Sequence, residues 1–401
     1  MTSTPFVTRV VLRNYKSIGR CDVTLRPLTY LVGANGSGKS NFLDALHLVR
    51  DALAAPLDQA LNEHGGLSEV RRKSSGHPTH FGIRLDLCLP DGEPAHYAFL
   101  IGSAKGGNFE IQSEQCAVGM RGKGPCYRID HGRLVEGSEA QFPAIAPDRL
   151  ALVAFSGMNA FRPVFDALSR MGFYNLNPKL MRELQKPQDG RLLKPSGENI
   201  ASVISHLERG APERIRIVEQ LLAAIVPSVH GFERRTIGPM ETVEFRQDMA
   251  GARDPWRFLA HSMSDGTLRT LGILIALFQG SRDFAPSLVG IEEPETALHP
   301  AASAALREAL TRASSHTQVL VTSHSPDLLD DPGIDPDTLL AVVSDQGETR
   351  IAPLDGASRS AMRDHLFSAG ELLRLNQLAP DTGDMAAQQS RQSDLFEMAG
   401  T

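Results

Sequence analysis

Residues 33–40 read Gly-Ala-Asn-Gly-Ser-Gly-Lys-Ser, the pattern GxxxxGK[ST]. Glycines at this spacing let backbone N–H groups curl round a phosphate, and a helix opening directly after them adds the positive end of its dipole. The Lys39 amine can bridge β- and γ-phosphate oxygens, and the Ser40 hydroxyl can ligate magnesium. We therefore expect Gly33, Asn35, Gly36, Ser37, Gly38, Lys39, Ser40 and Asn41 to bind nucleotide. A second acid is needed, and the apolar run Ser287 to Ile291 ends in Glu292-Glu293-Pro294. Glu292 is expected to hold magnesium or its water shell, while Glu293 polarises the attacking water. A third apolar run, Val319 to Thr322, leads through Ser323 to His324, whose imidazole can donate to a γ-phosphate and sense its loss. Lys39, Glu293 and His324 are the expected catalytic groups. Ser264-Asp265-Gly266 opens an apolar helix; it can serve as a plain N-cap, or Ser264 and Gly266 can face a second nucleotide.

The elements that must position these groups follow from periodicity. Phe6 to Arg13, Asp22 to Leu25 and Leu28 to Val32 read as strands, and a helix from about Ser40 places Phe42, Leu43, Leu46 and Val49 on one face. Alternation over Phe81 to Leu89 and the matching Tyr97 to Ile101 predict an antiparallel layer turning at Pro90-Asp91-Gly92. Leu150 to Phe155 reads as another buried strand. Helical spacing then runs from about Val164 to Val226, a lobe inserted into an α/β body. Glu241 to Phe245 is expected to lead back into that body. A helix Gly266 to Phe278, a strand Leu288 to Ile291, a helix Ala301 to Ala313 and a strand Gln318 to Thr322 alternate as in a parallel sheet. A hairpin Leu339 to Ile351 and a helix Ser360 to Leu375 precede a polar tail expected to be disordered.

The 401 residues carry 41 basic and 47 acidic side chains, a net charge of −6, so any contact with nucleic-acid phosphates must be local. Hydrophobic residues at 41% and charged ones at 22% exclude wholesale disorder and collagen-like chains. The four cysteines form no CxxC pair, which suggests neither a zinc ribbon nor a disulfide framework. The apolar run Leu271 to Phe278 is too short to span a bilayer and the N-terminus lacks an apolar leader, so no membrane partner and a cytoplasmic location are expected. Arg71-Arg72-Lys73 is the densest basic run, equally readable as a solvated loop.

In order and wording these motifs resemble the ATPase heads of the ABC type, in particular the SMC-like and RecF-like class: the GxNGxGKS loop, the Ser264-Asp265-Gly266 signature, the Glu-Glu-Pro Walker B, the D-loop-like Thr296 to Pro300 and the Thr-Ser-His switch. Val11 to Ser17 also resembles the first strand of RecF-like heads, where the turn lies near the adenine. The resemblance implies an α/β P-loop NTPase of ABC-head type, a mixed sheet with an antiparallel β layer and an inserted helical lobe. The expected divisions are residues 1–156 for the N-terminal half of the head, 157–235 for the helical lobe, 236–379 for the C-terminal half and 380–401 for a flexible tail. It further implies ATP and Mg2+ held between two protomers, with Lys39, Glu293 and His324 from one and Ser264 and Gly266 from the other, in a homodimer acting on DNA in repair or genome maintenance. A defence ATPase controlling a separate effector and a transporter subunit are the alternatives. Three departures stand out: the magnesium acid is glutamate, no Q-loop glutamine can be chosen among Gln112, Gln115 and Gln141, and the long coiled coil of SMC proteins is missing. Some relatives of the overcoming-lysogenisation-defect class carry a Toprim nuclease, for which the chain after His324 is expected to be too short. Finally, Gln392-Ser393-Asp394-Leu395-Phe396 resembles the peptide that docks bacterial repair proteins on the sliding clamp, with Gln392, Leu395 and Phe396 as anchors; the alternative is that Leu395 and Phe396 pack on the protein's own surface.

Overall fold

A computed structural model of the chain describes residues 4–74, 76, 78–104, 109–119, 124–139, 141–280, 284–296, 298–390 and 395–396. It divides into two compact units, one of residues 2–171, 335–367 and 375–401, the other of residues 172–334 and 368–374. The architecture is mixed α/β.

The first unit opens with strands β1 (Val7–Tyr15), β2 (Ile18–Thr24) and β3 (Leu28–Val32), then helices α1 (Lys39–Ala54), α2 (Leu57–Glu63) and α3 (Leu67–Val70). Phe42, Leu43, Leu46, Val49 and Leu53 are buried along one stripe of α1, as their spacing requires. Each such side chain, fully buried, contributes roughly 1.5–3 kcal/mol. Strands β4 (His80–Cys88), β5 (Pro94–Ser103), β6 (Phe109–Val118), β7 (Cys126–Asp130) and β8 (Arg133–Gly137) extend β2–β1 as an antiparallel layer, β4 pairing β1 in register Leu12 to Ile83. Helices α4 (Ala151–Phe155) and α5 (Arg162–Ser169) follow. The expected strand at 150–155 is thus a helix. Its cause is Glu114, whose buried carboxylate accepts from the backbone N–H of Ala151 at 2.5 Å and of Leu152 at 2.8 Å, capping the first turn. A short apolar run cannot reveal such a partner.

The second unit contains β9 (Gly172–Tyr174), α6 (Pro178–Arg182), α7 (Ile200–Gly210), α8 (Pro212–Ile225), β10 (Val229–Ile237), β11 (Met240–Gln247), β12 (Trp256–Leu259), α9 (Asp265–Phe278), β13 (Leu288–Glu292), α10 (Ser303–Ser314), β14 (Gln318–Ser323) and α11 (Pro326–Leu329). Strands β9, β13 and β14 are parallel, with Glu292 beside Thr322. Residues 241–245 do not rejoin that sheet; they lie in β11, the middle of a separate antiparallel sheet β10–β11–β12 that packs on α7 and α8. Glu241 explains the difference: it is buried, paired with Arg234 Nε at 2.6 Å and bonded by the Ser202 hydroxyl of α7. The span expected to be a helical lobe accordingly holds α5 in one unit and α6 to α8 in the other, together with β9 and β10.

The chain returns to the first unit with β15 (Leu339–Asp345) and β16 (Glu348–Pro353), an antiparallel hairpin whose β15 runs parallel to β3. Next come α12 (Gly356–Arg363), α13 (Ala369–Arg374), which belongs to the second unit, and α14 (Thr382–Ser390). The single helix expected over 360–375 is broken because Ser368 and Glu371 form a capping box, each side chain accepting the other's backbone N–H, at 3.1 and 2.8 Å. The polar tail is ordered over α14. Gln388 accepts from the Asp22 N–H of β2 at 3.1 Å and donates to Ile351 O of β16 at 3.0 Å.

Candidate functional site

The phosphate loop lies wholly in the first unit. Gly36 and Gly38 adopt φ of 75° and 101°, left-handed values that a side chain resists, and Gly38 N-caps α1. A Cβ on Gly38 would come within 1.9 Å of Thr349 Oγ1, and one on Gly33 within 2.0 Å of Val342 O, so both positions exclude any other residue. Lys39 is buried and its Nζ donates to Gly33 O at 2.8 Å and Ala34 O at 3.0 Å, which holds the amine inside the loop. Asn35, Gly36 and Ser40 are exposed at the mouth, whereas Ser37 is buried. Left-handed glycines, a helix start and an inward amine fit a triphosphate, and Ser40 stands at the position that would ligate its magnesium.

Beneath the loop lies a network that the sequence did not disclose. Thr349 Oγ1 of β16 donates to Ser37 O at 2.8 Å and shares a hydrogen at 2.7 Å with Ser17 Oγ, which also accepts from Asn41 Nδ2 at 2.6 Å. Asn41, expected to touch nucleotide, has its side-chain amide on Ser17 of the β1–β2 turn. More than 300 residues separate Thr349 from Ser37, so no local pattern announces the pairing.

Glu292, Glu293 and His324 lie in the second unit. Glu292 ends β13, and Glu293 follows with φ 43°, a strained value for a side-chain-bearing residue, of a kind that concentrates at functional positions. Its backbone N–H is held by Thr322 O at 3.0 Å and Thr322 Oγ1 at 3.2 Å. The Glu293 carboxylate lies 3.1 Å from His324 Nδ1, which brings together two groups far apart in the sequence. Glu295 accepts from Ser323 Oγ at 2.7 Å and tethers the turn before His324. Arg269 of α9, absent from the sequence reading, donates to the carbonyls of Glu292 and Glu293 at 3.2 and 3.3 Å. Burial lowers its pKa, opposed by the charges of Glu293, Glu295 and Glu292, so Arg269 is a partly desolvated cation at the strand end.

Ser264 and Asp265 are exposed at the start of α9 and Gly266 is half-buried. Ser264 is the N-cap, its Oγ accepting from Thr267 N at 3.1 Å. Both sequence readings of this turn, cap and outward-facing anion site, are compatible with that placement. Arg182 of α6 braces it, donating to Met263 O at 2.9 Å and to the Asp265 carboxylate. Residue 297 of the D-loop-like stretch lies outside the described residues.

The tail peptide is corrected. Gln392, Ser393 and Asp394 lie outside the described residues, but Leu395 is 1% exposed, its carbonyl accepts from Arg84 Nη1 at 3.2 Å, and the Arg128 guanidinium sits 5.4 Å over the Phe396 ring. Leu395 and Phe396, two of the three anchors expected to enter a clamp, are engaged by the protein's own antiparallel layer. Among the described residues no helix is long and apolar enough to cross a membrane.

A family profile described as "AAA domain, putative AbiEii toxin, Type IV TA system" matches residues 28–118 and 231–330, which hold the phosphate loop, the signature turn, the paired glutamates and the switch histidine. The Old nuclease of Escherichia phage P2 is 23% identical over 354 residues, covering 80% of this chain and 56% of that protein, so the chain spans little more than half the length of this relative. Among solved structures, an SMC head bound to the C-winged helix domain of ScpA superposes with a TM-score of 0.53 at 13% identity, covering 87% of this chain and 97% of that one. The SMC head domain from Thermotoga maritima gives 0.45 at 13% identity over 87% and 99%.

Proposed function

We propose that this chain, a P-loop ATPase of the ABC- and SMC-like class, binds and hydrolyses ATP with magnesium, and that two copies close on the nucleotide to act on DNA. The observation that carries the reading is the phosphate loop itself: left-handed Gly36 and Gly38 at the start of α1, with Lys39 drawn inside. In this reading the loop N–H groups and Lys39 hold the β- and γ-phosphates and the Ser40 hydroxyl offers a metal ligand within the first unit; within the second, Glu292 is the carboxylate suited to a metal or its water shell. Magnesium would supply charge neutralisation on the phosphate oxygens. Glu293 takes a proton from water, its carboxylate aimed by the strained backbone and by His324. Arg269 fixes the peptide units on either side of that carboxylate. Ser264 and Gly266, outward at the start of α9, are suited to the nucleotide of a second copy.

The test is ATP turnover by the purified chain, alone and with single-stranded, duplex or gapped DNA. Glu293→Gln should still bind ATP but turn over about 10²–10⁴-fold more slowly, the usual loss for a general base, and should accumulate a dimer by light scattering. Monomer at saturating ATP would overturn the shared-site reading, and indifference to every DNA form would overturn the substrate. A second reading, an ATPase that governs a separate effector in phage defence, is favoured by the toxin–antitoxin description of the matching family. Activity that appears only with a neighbouring gene product would support it.

A further inference from the structure

We propose that His47, Asp51 and His64 form a binding site for a zinc-class divalent cation, placed behind the phosphate loop on the helix that the loop opens. The site does not depend on the ATPase reading.

His47 and Asp51 are one turn apart on α1, and His64 is the residue that ends α2. Their ligand atoms, one from each residue, all lie within 4.8 Å of one another. His64 Nε2 is 3.0 Å and His47 Nε2 3.2 Å from the same carboxylate oxygen, Asp51 Oδ2. The two rings meet edge to face at 5.2 Å, so both nitrogens converge on that oxygen without the rings stacking. Two imidazoles and one carboxylate are a ligand set that suits zinc and its neighbours.

The cluster has an outer support, and, against the effect of burial, the two carboxylates on His64 also raise its pKa to about 9, so a cation must displace a proton there. His64 Nδ1 is 2.7 Å from Asp44 Oδ1, one turn earlier on α1, and the other Asp44 oxygen accepts from Tyr15 OH at 2.6 Å and pairs with Lys16 Nζ at 2.5 Å. A carboxylate fixing the far nitrogen of a histidine is the usual second layer of a metal site; it orients the ring and raises the basicity of the ligating nitrogen. His64 is itself only 4% exposed at the side chain, and it lines an open polar cavity of about 400 Å³ together with Lys16, Glu69, Arg71 and Lys73. Arg50 is the competing group: it holds Asp51 Oδ1 at 2.6 Å and reaches His47 Nε2 at 2.5 Å. That contact makes the His47 nitrogen an acceptor, the state a metal needs, and the cation takes the place of the guanidinium there.

The experiment uses the full chain, stripped with a chelator and titrated with Co2+ in the absence of nucleotide. One equivalent should bind with visible ligand-field bands, be displaced by Zn2+, and persist in Glu292→Gln. His47→Gln, at a half-exposed position, should abolish the bands while the fold is retained by circular dichroism, and Asp44→Asn should weaken binding about 10–100-fold. Absence of stoichiometric Co2+ and Zn2+ binding by the wild-type chain would overturn the proposal and leave an ion-pair cluster only. So would a signal that survives both His47→Gln and His64→Gln.

Discussion

At the scale of single residues, the candidate groups were legible where one local stretch carries them. The phosphate loop, the paired glutamates and the switch histidine are each contiguous, and local spacing is what a motif records. Their supports are not contiguous. Thr349, Arg269 and Arg182 act across tens to hundreds of positions, and nothing in their own neighbourhoods marks them. Thr349 is the most informative to change. Its hydroxyl bonds Ser37 O and Ser17 while its body packs against Gly38. Thr349→Val keeps the shape and removes the donor, leaving Ser37 O unmet at a cost of about 1–3 kcal/mol. Because the loss falls on the loop rather than on Glu293 or His324, we expect the KM for ATP to rise about tenfold with kcat nearly unchanged. A fall in kcat at constant KM would contradict this.

At the scale of elements, strands and helices with strong periodicity emerged where expected, and the departures have identifiable causes. Apolar pattern alone cannot distinguish a strand from a short buried helix, and at 151–155 the choice is made by Glu114. That carboxylate is enclosed by Tyr97 OH at 3.0 Å, Tyr127 OH at 2.9 Å and the two N–H groups of α4. Burial raises its pKa, and the four donors pull the other way. Glu114→Ala would leave two buried phenols and a helix start without an acceptor, and we expect about 2–4 kcal/mol of lost stability in urea unfolding. Glu136→Ala on exposed β8 should stay within about 0.5 kcal/mol of wild type. Equal effects would show that Glu114 is not the organiser of α4.

At the scale of the whole molecule, composition excluded classes but gave no boundaries, since the two units each draw on separated segments of the chain. Protonation offers a global readout. His96 of β5 is buried beside Arg84, and burial, with the Arg84 charge adding to it, lowers its pKa to about 4 from 6.5, against a smaller opposing pull from Asp86. Between those values the unfolded chain binds a proton that the folded chain refuses, so stability rises with pH across that window and is lost as pH falls through it. We expect His96 to account for roughly 1–3 kcal/mol of that loss between pH 6.5 and 4, after allowance for partial relaxation. Thermal melts of His96→Gln should show a shallower decline over the same range; an unchanged slope would assign the acid sensitivity elsewhere.

The seat of Leu395 has a practical corollary. A Cβ on Gly82 would lie 2.1 Å from a methyl carbon of that leucine, so the bare backbone of an early strand is shaped to receive one of the last side chains. Fusing a purification handle close behind Phe396, or trimming the polypeptide ahead of Gln388, therefore alters the layer built on β1 and β4 as well as the far end.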